Sequence, residues 1–334
     1  MGVVDRVASG FLGVIRGSLI SLALLLACIA FDAIAQASAI PRIAVLVPQA
    51  RGWDEEAFRK TLTDLGYREG VNLILDVRSA EGDLARLPQL ATEIVNSSPR
   101  AIVAVNTPGT RAAIAGTRTI PIIMVAVGDP VGTGFVTNLA RPEGNVTGVS
   151  NLCGELAAKR LSLLKEAIPS ARRIAVMLNP EDPITLPQIR DAERAAPAVG
   201  VRVRMFAVRT TAELEKEMET VRQWRPDAAM WLCGQQRGLE RRMIRLAQMH
   251  QLPVMPYLVS NVSAGGLIGY ATNAPDLFRR AAIYVDRILK GAKPADLPVE
   301  QPTRFDLVIN LQTAKTLGLV IPQSLLLRAD ELIQ

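Results

Sequence analysis

The segment Ile43-Ala44-Val45-Leu46-Val47 decides the fold class of this chain. All five residues are apolar, and an uninterrupted apolar run of this length is typical of a strand in a parallel sheet that is covered on both faces. A helix is predicted directly afterwards, from about Asp54 to Leu65, because Phe58, Leu62 and Leu65 share one helical face. A buried parallel strand followed by an amphipathic helix is the repeating unit of an α/β protein.

The same alternation of strands and helices continues along the chain and restarts after about residue 150. The predicted strands are 72–77, 101–105, 120–127 and 146–149, then 173–178, 201–208, 228–232, 267–270 and 305–309. The predicted helices among them include 84–95, 110–117, 155–167 and 276–289. The 334-residue chain exceeds the size at which one core usually stops growing. We therefore expect an α/β fold made of two doubly wound parallel-sheet lobes.

The first 37 residues have the layout of a secretory signal peptide. Arg6 and Arg16 precede an apolar run from Gly17 to Phe31, and small residues follow that run. The run is too short for a comfortable transmembrane helix. A small-x-small cleavage rule leaves either Ser38 or Ile40 as the first mature residue. We expect the protein to be exported to the periplasm.

A second interpretation of the same segment stays open. Leu25-Leu26-Ala27-Cys28 resembles a lipoprotein box, in which Cys28 would carry a lipid anchor. The apolar run continues past Cys28 and no polar tether follows, so soluble release is favoured over lipid anchoring. An uncleaved membrane anchor is the third alternative.

The charge pattern argues against a nucleic-acid partner. The formal net charge is +6, and basic residues are scattered among acidic ones. The densest basic cluster consists of Arg237, Arg241, Arg242 and Arg245, with Glu240 between them. No aromatic residues interleave with this cluster, so it is interpreted as a solvated helix face.

Cysteine and histidine are too sparse for a metal site. Outside the signal segment the chain has Cys153 and Cys233, with no C-x-x-C spacing, and His250 is its single histidine. A disulfide between the two cysteines is possible in an oxidising compartment, but two separate buried thiols are the favoured prediction. No metal site is expected.

The sequence carries none of the common catalytic motifs. It has no G-x-S-x-G, no phosphate loop and no H-E-x-x-H. Its nearest approach to a dinucleotide motif, the segment from Gly128 to Gly134, lacks the third glycine and has Pro130 where a helix should open. We expect a protein that is not an enzyme, has no catalytic residues and uses no cofactor.

Polar residues follow the predicted strands at their carboxyl ends, where ligands bind in open α/β sheets. Several of them would begin the next helix, whose free N–H groups and dipole suit a ligand carboxylate. Asp129 could pair with a ligand amine and Trp53 could stack on a ligand, with turn formation and surface packing as the alternatives. For Thr107 and Thr110, capping of the following helix is an equal alternative to ligand contact. The predicted ligand-binding residues are Gln49, Trp53, Thr107, Thr110, Asp129, Asn151, Asn179 and Gln235.

Four segments resemble one family of bacterial proteins. Pro142-Glu143-Gly144-Asn145-Val146-Thr147-Gly148-Val149-Ser150 resembles the P-x-G-N-V-T-G-V-S segment of ABC-transporter substrate-binding proteins. The helix beginning Lys159-Arg160-Leu161, the strand Gly265-Gly266-Leu267-Ile268-Gly269-Tyr270 and the tail 288–311 are similar to further segments of that family. The resemblance covers about residues 42–333. Glu143 and Cys153 depart from the residues common at their positions, with no expected consequence for the fold.

The resemblance implies a type I periplasmic-binding-protein fold that traps a small ligand by hinge closure. Its lobe one would be residues 40–149 plus 274–290, and its lobe two 152–271 plus 303–320. The crossovers would lie near 148–151, 271–273 and 297–302. The relatives imply an amino acid-like compound or small organic acid as ligand and a membrane permease as partner. We expect a monomer with no nucleic-acid partner.

Three other functions are to be compared with solute binding. The same fold forms the effector domains of repressors, but these carry an N-terminal helix-turn-helix where this chain has its signal segment. An extracytoplasmic sensor that docks on a receptor is the closer alternative, and an exported α/β enzyme is less favoured. The sequence alone separates neither transport from sensing nor one ligand from another.

Overall fold

The computed structural model describes residues 40–49, 53–182, 184–234 and 237–334. The predicted signal segment 1–37, Cys28 and Gln235 lie outside the described residues. The strands are β1 (Arg42–Val47), β2 (Ile74–Ser79), β3 (Ala101–Val105), β4 (Ile122–Val127), β5 (Val146–Ser150), β6 (Arg173–Leu178), β7 (Arg202–Ala207), β8 (Ala228–Trp231), β9 (Val254–Met255), β10 (Ile268–Thr272), β11 (Phe305–Asn310) and β12 (Glu331–Ile333). The helices are α1 (Glu55–Asp64), α2 (Leu87–Asn96), α3 (Asn106–Gly116), α4 (Ala157–Ala167), α5 (Thr185–Ala198), α6 (Thr211–Trp224), α7 (Arg237–Met249), α8 (Ala274–Leu289), α9 (Leu311–Thr316) and α10 (Gln323–Leu326).

The apolar run of β1 is buried on both faces, as predicted. Strands β1 to β5 form a parallel sheet in the order β2-β1-β3-β4-β5. Val45 lies on one face with Leu277 of α8. Leu46 lies on the other face with Leu90 of α2. Helices on both sides of this sheet explain why β1 has no polar residue between Ile43 and Val47.

A second body is built around two smaller sheets. Strands β6 to β9 form a parallel sheet in the order β7-β6-β8-β9, and β10, β11 and β12 form a second sheet. The β10–β11 pair is antiparallel and the β11–β12 pair is parallel. Residues of both sheets share one apolar cluster with α4 and α5. We call the body around the five-stranded sheet lobe one, and this second body lobe two. The two-lobed α/β fold is confirmed.

The chain passes between the lobes along segments that are hydrogen-bonded to one another. The backbone N–H of Ser150 donates to the Glu300 carbonyl oxygen, and the Glu300 N–H donates to the Gly148 carbonyl oxygen, both over 2.9 Å. The Thr272 hydroxyl donates to the Asn151 carbonyl oxygen over 2.6 Å. The segments leaving β5, β10 and α8 therefore form one connection. The residue bounds of the lobes and crossovers stay a prediction.

Gly148 is required by the close approach of β4 and β5. Its φ is +136°, and a Cβ at this position would lie 2.0 Å from the carbonyl oxygen of Met124. Because no side chain fits between the strands here, this glycine allows β5 to enter the crossover against β4.

The basic helix α7 differs from its prediction in one respect. Arg242 is paired with Glu215, and Arg241 donates to Asn261 over 3.2 Å. Glu240, in contrast, is fully buried. Arg241 and Arg245 are therefore exposed and Arg242 is half-buried, while the acidic residue between them is buried in lobe two. None of the helices in the described part of the chain is long and apolar enough to cross a membrane.

Candidate ligand-binding cleft

A cleft of about 880 Å³ lies between the lobes. It is lined by residues that follow β1, β3 and β4 in lobe one and β6 and β8 in lobe two. The carboxyl ends of parallel strands from both lobes thus open into one space, which is the usual place for a ligand in such sheets. Its volume is in the range of small-molecule sites.

Lobe one presents the start of a helix to the cleft. Helix α3 begins at Asn106 directly after β3, and Asn106, Thr107 and Pro108 line the wall. Asn106 has a positive φ of 58°, a conformation that asparagine tolerates well. The first turn of a helix has backbone N–H groups without helical partners and the positive end of the helix dipole. This wall is therefore suited to an anionic or hydrogen-bond-accepting group.

Lobe two presents a carboxylate opposite a lobe-one arginine. Asp182 follows β6, and its Oδ1 accepts the Ile184 N–H over 3.1 Å. Burial raises the pKa of Asp182, while that hydrogen bond and the positive charge of Arg111 oppose the rise. Both Asp182 and Arg111 line the cleft. Glu181, also in the lining, is paired with Arg209 over 3.1 Å.

Aromatic and aliphatic residues form much of the remaining wall. Phe278 and Leu277 come from α8, and Tyr270 comes from β10. Tyr270 stacks on Phe305 with ring centroids 5.6 Å apart. Trp53 does not line the cleft, but its ring lies 5.8 Å from that of Phe278 and supports it from behind.

Four of the eight predicted ligand-binding residues lie in the cleft wall, namely Gln49, Thr107, Asn151 and Asn179. The Asn179 Oδ1 accepts the Glu181 N–H over 3.1 Å. The Asn151 amide is held at both ends, because its Nδ2 donates to the Ala126 carbonyl oxygen and its Oδ1 accepts the Cys153 N–H, each over 3.1 Å. Contact of these residues with a ligand stays a prediction.

Trp53, Thr110 and Asp129 lie outside the cleft wall. Thr110 is fully buried and its hydroxyl donates to the Ala104 carbonyl oxygen over 3.3 Å, which ties α3 to β3. The Asp129 Oδ1 accepts the Gly132 N–H over 2.7 Å, so this side chain closes a turn. The structural alternatives considered for Trp53 and Asp129, packing and turn formation, describe their places here. Gln235 lies outside the described residues.

Several wall residues were not predicted. Arg111 directly follows the predicted residue Thr110, and Asp182 lies three residues after the predicted residue Asn179, so a wider view of these two strand ends would have included both. Tyr270 and Phe278 carry no local signal, because strand β10 and helix α8 reach the cleft only through the fold. Arg160 of α4 also lines the cleft, from the middle of an amphipathic helix.

The prediction of two separate buried thiols is wrong, because Cys153 and Cys233 form a disulfide. Their Cα atoms are 6.0 Å apart, within the usual range for a disulfide. Cys153 follows the first crossover and Cys233 follows β8, so the bond crosses the lobe-two wall of the cleft. Because the two cysteines are 80 residues apart, the sequence pattern does not indicate that they are neighbours in the fold.

The lobes touch at one side of the cleft. Gly128 of lobe one faces Ile184 of lobe two so closely that a Cβ on Gly128 would lie 1.9 Å from the Ile184 Cδ1 atom. Gly128 and Ile184 thus form a contact between the two lobes beside the cleft. Among the described residues no group of histidine, cysteine, aspartate and glutamate is arranged to hold a metal ion.

Two α/β lobes, hydrogen-bonded crossovers and a ligand-sized cleft between them define a two-lobed binding protein of the periplasmic type I class. The comparison with known sequences agrees with this class. The chain belongs to the ABC transporter substrate binding protein family, whose model matches residues 43–333.

Individual relatives are similar over most of their length. A tyrosine-binding protein of Clostridioides difficile is 27% identical over 267 residues, which are 79% of this chain and 76% of that protein. A Streptococcus pneumoniae ABC domain solved in complex with L-Trp superposes with a TM-score of 0.80 at 27% identity, covering 88% of this chain and 100% of that structure. A conserved domain protein of Vibrio cholerae has a TM-score of 0.81 at 28% identity with the same coverage.

Proposed function

We propose that this protein is the extracytoplasmic solute-binding component of an ABC importer and that it traps an aromatic amino acid between its lobes. The observation that carries the proposal is the cleft, which combines an opposed carboxylate and arginine with an aromatic wall. The tryptophan and tyrosine bound by two relatives have the same combination of charged groups and ring.

The charged part of the ligand is matched by groups from both lobes. Asp182 is the acidic residue that would accept the ligand ammonium group, since Glu181 is already paired with Arg209. The carboxylate has the first turn of α3 and the cleft arginines as partners. A ligand that carries both charges therefore interacts with lobe one and lobe two at once.

The ring of the ligand is matched by apolar surface. Phe278, Leu277 and Tyr270 lie in the wall, and aromatic pairs contribute beyond the burial of their area. Trp53 keeps Phe278 in place from behind. The apolar contacts supply affinity and the few charged groups fix the orientation.

Hinge closure follows from the same contacts. A ligand that binds both lobes stabilises the closed form over the open one by its differential affinity for the two. The contact of Ile184 with Gly128, which joins lobe two to lobe one beside the cleft, supports this proposal. The closed form is the one that a membrane permease would receive.

The ligand assignment is tested by calorimetry and thermal unfolding of the mature protein. The panel is L-tryptophan, L-tyrosine and L-phenylalanine, with tryptamine and indole-3-propionate as analogues that lack one charge each. A ligand at a hundred times its dissociation constant adds about 2.7 kcal/mol to the free energy of unfolding. Stabilisation by at least one aromatic amino acid, and a weaker effect of both analogues, is expected. Absence of any effect from the three amino acids contradicts the proposal.

The role of Asp182 is tested by Asp182→Asn, which keeps the shape and removes the charge. We expect affinity for the amino acid to fall by about 10-fold to 100-fold, because a hydrogen bond to a charged group contributes roughly 1.5–3 kcal/mol. Binding of indole-3-propionate, which has no ammonium group, should not weaken. Asp64→Asn on the far side of α1, where the carboxylate is exposed and paired with Lys60, is the matched control.

The importer role is tested in cells. Uptake of the labelled amino acid should fall when the gene is deleted and recover with the wild-type copy but not with Asp182→Asn. Binding in vitro with unchanged uptake would instead favour an extracytoplasmic sensor.

A further inference from the structure

Arg160 is a buried cation in the wall of the cleft. It lies on α4, and only 2% of its surface is exposed. It is nevertheless one of the residues that line the space between the lobes. A long charged side chain in this position is unusual, because buried charges in proteins are normally paired.

The guanidinium group of Arg160 has very little to bind to within the described residues. Its Nε has no hydrogen-bond partner there. Its Nη2 donates to the Met255 carbonyl oxygen over 3.5 Å, at the limit of a hydrogen bond. The described ion pairs include none with Arg160. Within the described residues this buried cation beside the cleft therefore has one long hydrogen bond and one unused donor, Nε.

The buried acid Glu240 attracts Arg160, but the described ion pairs do not join the two residues. Glu240 is fully buried, but its carboxylate accepts hydrogen bonds from the Tyr257 N–H and from Nδ2 of Asn261. Burial lowers the pKa of Arg160 to about 10 and raises the pKa of Glu240 to about 7, and their mutual attraction only partly offsets both shifts. The Glu240 carboxylate thus binds the segment that carries Tyr257. Arg160 can therefore bind another anion, such as a ligand carboxylate.

The other cleft arginine has existing partners. The guanidinium of Arg111 lies 5.3 Å from the centre of the Phe135 ring. Its charge also acts on Asp182. Arg111 is exposed, whereas Arg160 is buried and its Nε is a buried donor with no hydrogen-bond partner among the described residues.

We infer that Arg160 binds the carboxylate of the trapped ligand. The inference rests on the proposed function and deepens it, because it names the residue that distinguishes an amino acid from the corresponding amine. A planar guanidinium can hold a carboxylate through two parallel hydrogen bonds. The ligand carboxylate then supplies the anion that this buried cation lacks.

The test compares L-tryptophan with tryptamine, which has the same ring and ammonium group but no carboxylate. In the wild type the amino acid should bind much more tightly than the amine. In Arg160→Met that affinity ratio should fall at least about 30-fold, because truncating one member of a buried charge pair is costly. Arg160→Lys keeps the positive charge but loses the planar group that can donate two parallel hydrogen bonds. Its ratio of amino-acid to amine affinity should lie between those of Arg160→Met and the wild type. Arg111→Gln tests the competing cleft arginine and should change the ratio less. Arg222→Gln, at an exposed arginine of α6 that is paired with Glu219 and lies outside the cleft wall, is the matched control and should leave the ratio unchanged.

The ratio of L-tryptophan affinity to tryptamine affinity distinguishes a ligand-binding role of Arg160 from a purely structural role. Damage to the fold would weaken both compounds together and leave the ratio unchanged, and that result overturns the inference. A ratio that falls with Arg111→Gln and not with Arg160→Met also overturns it. If the wild type binds none of the aromatic amino acids, the proposed function fails and this inference fails with it.

A second measurement needs no variant. In a crystal structure of the wild type with bound L-tryptophan, a ligand carboxylate oxygen should lie within hydrogen-bond distance of the Arg160 guanidinium. A carboxylate bound elsewhere in the cleft contradicts the inference even if Arg160→Met does not fold.

Discussion

Removing the disulfide should lower the stability of lobe two substantially. The double substitution Cys153→Ala with Cys233→Ala opens a loop closed across 80 residues, which contains β6, β7 and β8. In the chain-entropy description, closing a loop of this length restricts the unfolded chain by about 4.5 kcal/mol at 25 °C. At roughly 2 °C per kcal/mol for a chain of this size, the midpoint of thermal unfolding should fall by about 10 °C.

The assay is differential scanning calorimetry of the mature wild type, with and without a dithiol reductant, beside the double variant. The reductant should lower the wild-type midpoint toward that of the variant and leave the variant unchanged. A thiol titration of the untreated, unfolded wild type should detect no free thiol. Two free thiols, or midpoints that agree within a degree, would refute the reasoning.

Three further perturbations test the cleft and the connection between the lobes. Gly128→Val places a side chain against Ile184 and should weaken ligand binding at least about 10-fold. Adding Ile184→Ala should restore part of the affinity. Equal binding by Gly128→Val and the wild type would show that the lobes need not approach so closely. Thr147→Val removes a buried hydrogen bond of 2.7 Å to the Leu297 carbonyl oxygen and should cost about 1–3 kcal/mol in urea unfolding, whereas an unchanged midpoint would mean that this bond is dispensable. Burial raises the pKa of Glu240 to about 7 from an ordinary 4.5. Between these two pH values the folded protein holds a proton that the unfolded chain has released. The contribution of Glu240 to the free energy of unfolding therefore falls as pH rises from about 4.5 to 7. Glu240→Gln should flatten that part of the pH profile of the unfolding midpoint, and an identical slope in the variant would contradict the assignment.

The sequence predicted those parts of the fold that depend on local pattern. The burial of β1 on two faces is visible in five consecutive apolar residues, and both lobes followed from the repeated alternation of strands and helices. Thr107 and Asn179 lie in the cleft because they follow buried parallel strands, and strand ends can be read from sequence.

Features that depend on contacts between distant segments could not be predicted. The disulfide joins a crossover to the end of β8, and neither cysteine has a local motif. Arg160 has the sequence context of an ordinary amphipathic helix, so the burial of its guanidinium and the lack of a partner for its Nε among the described residues appear only when the packing around α4 is known. Trp53 was predicted to face a ligand, but its ring packs behind Phe278, because the orientation of a loop residue depends on the helix that covers it.

The return of α8 to lobe one determines the order in which this protein can fold. Leu277 and Phe278 belong to the same apolar cluster as β1 and Phe58 of α1, so α1 covers this face of the first sheet only in part until α8 is present. The whole of β6 to β10 is synthesised before that helix. A nascent chain therefore cannot complete its N-terminal lobe first, and the two lobes reach their native cores only near the end of synthesis.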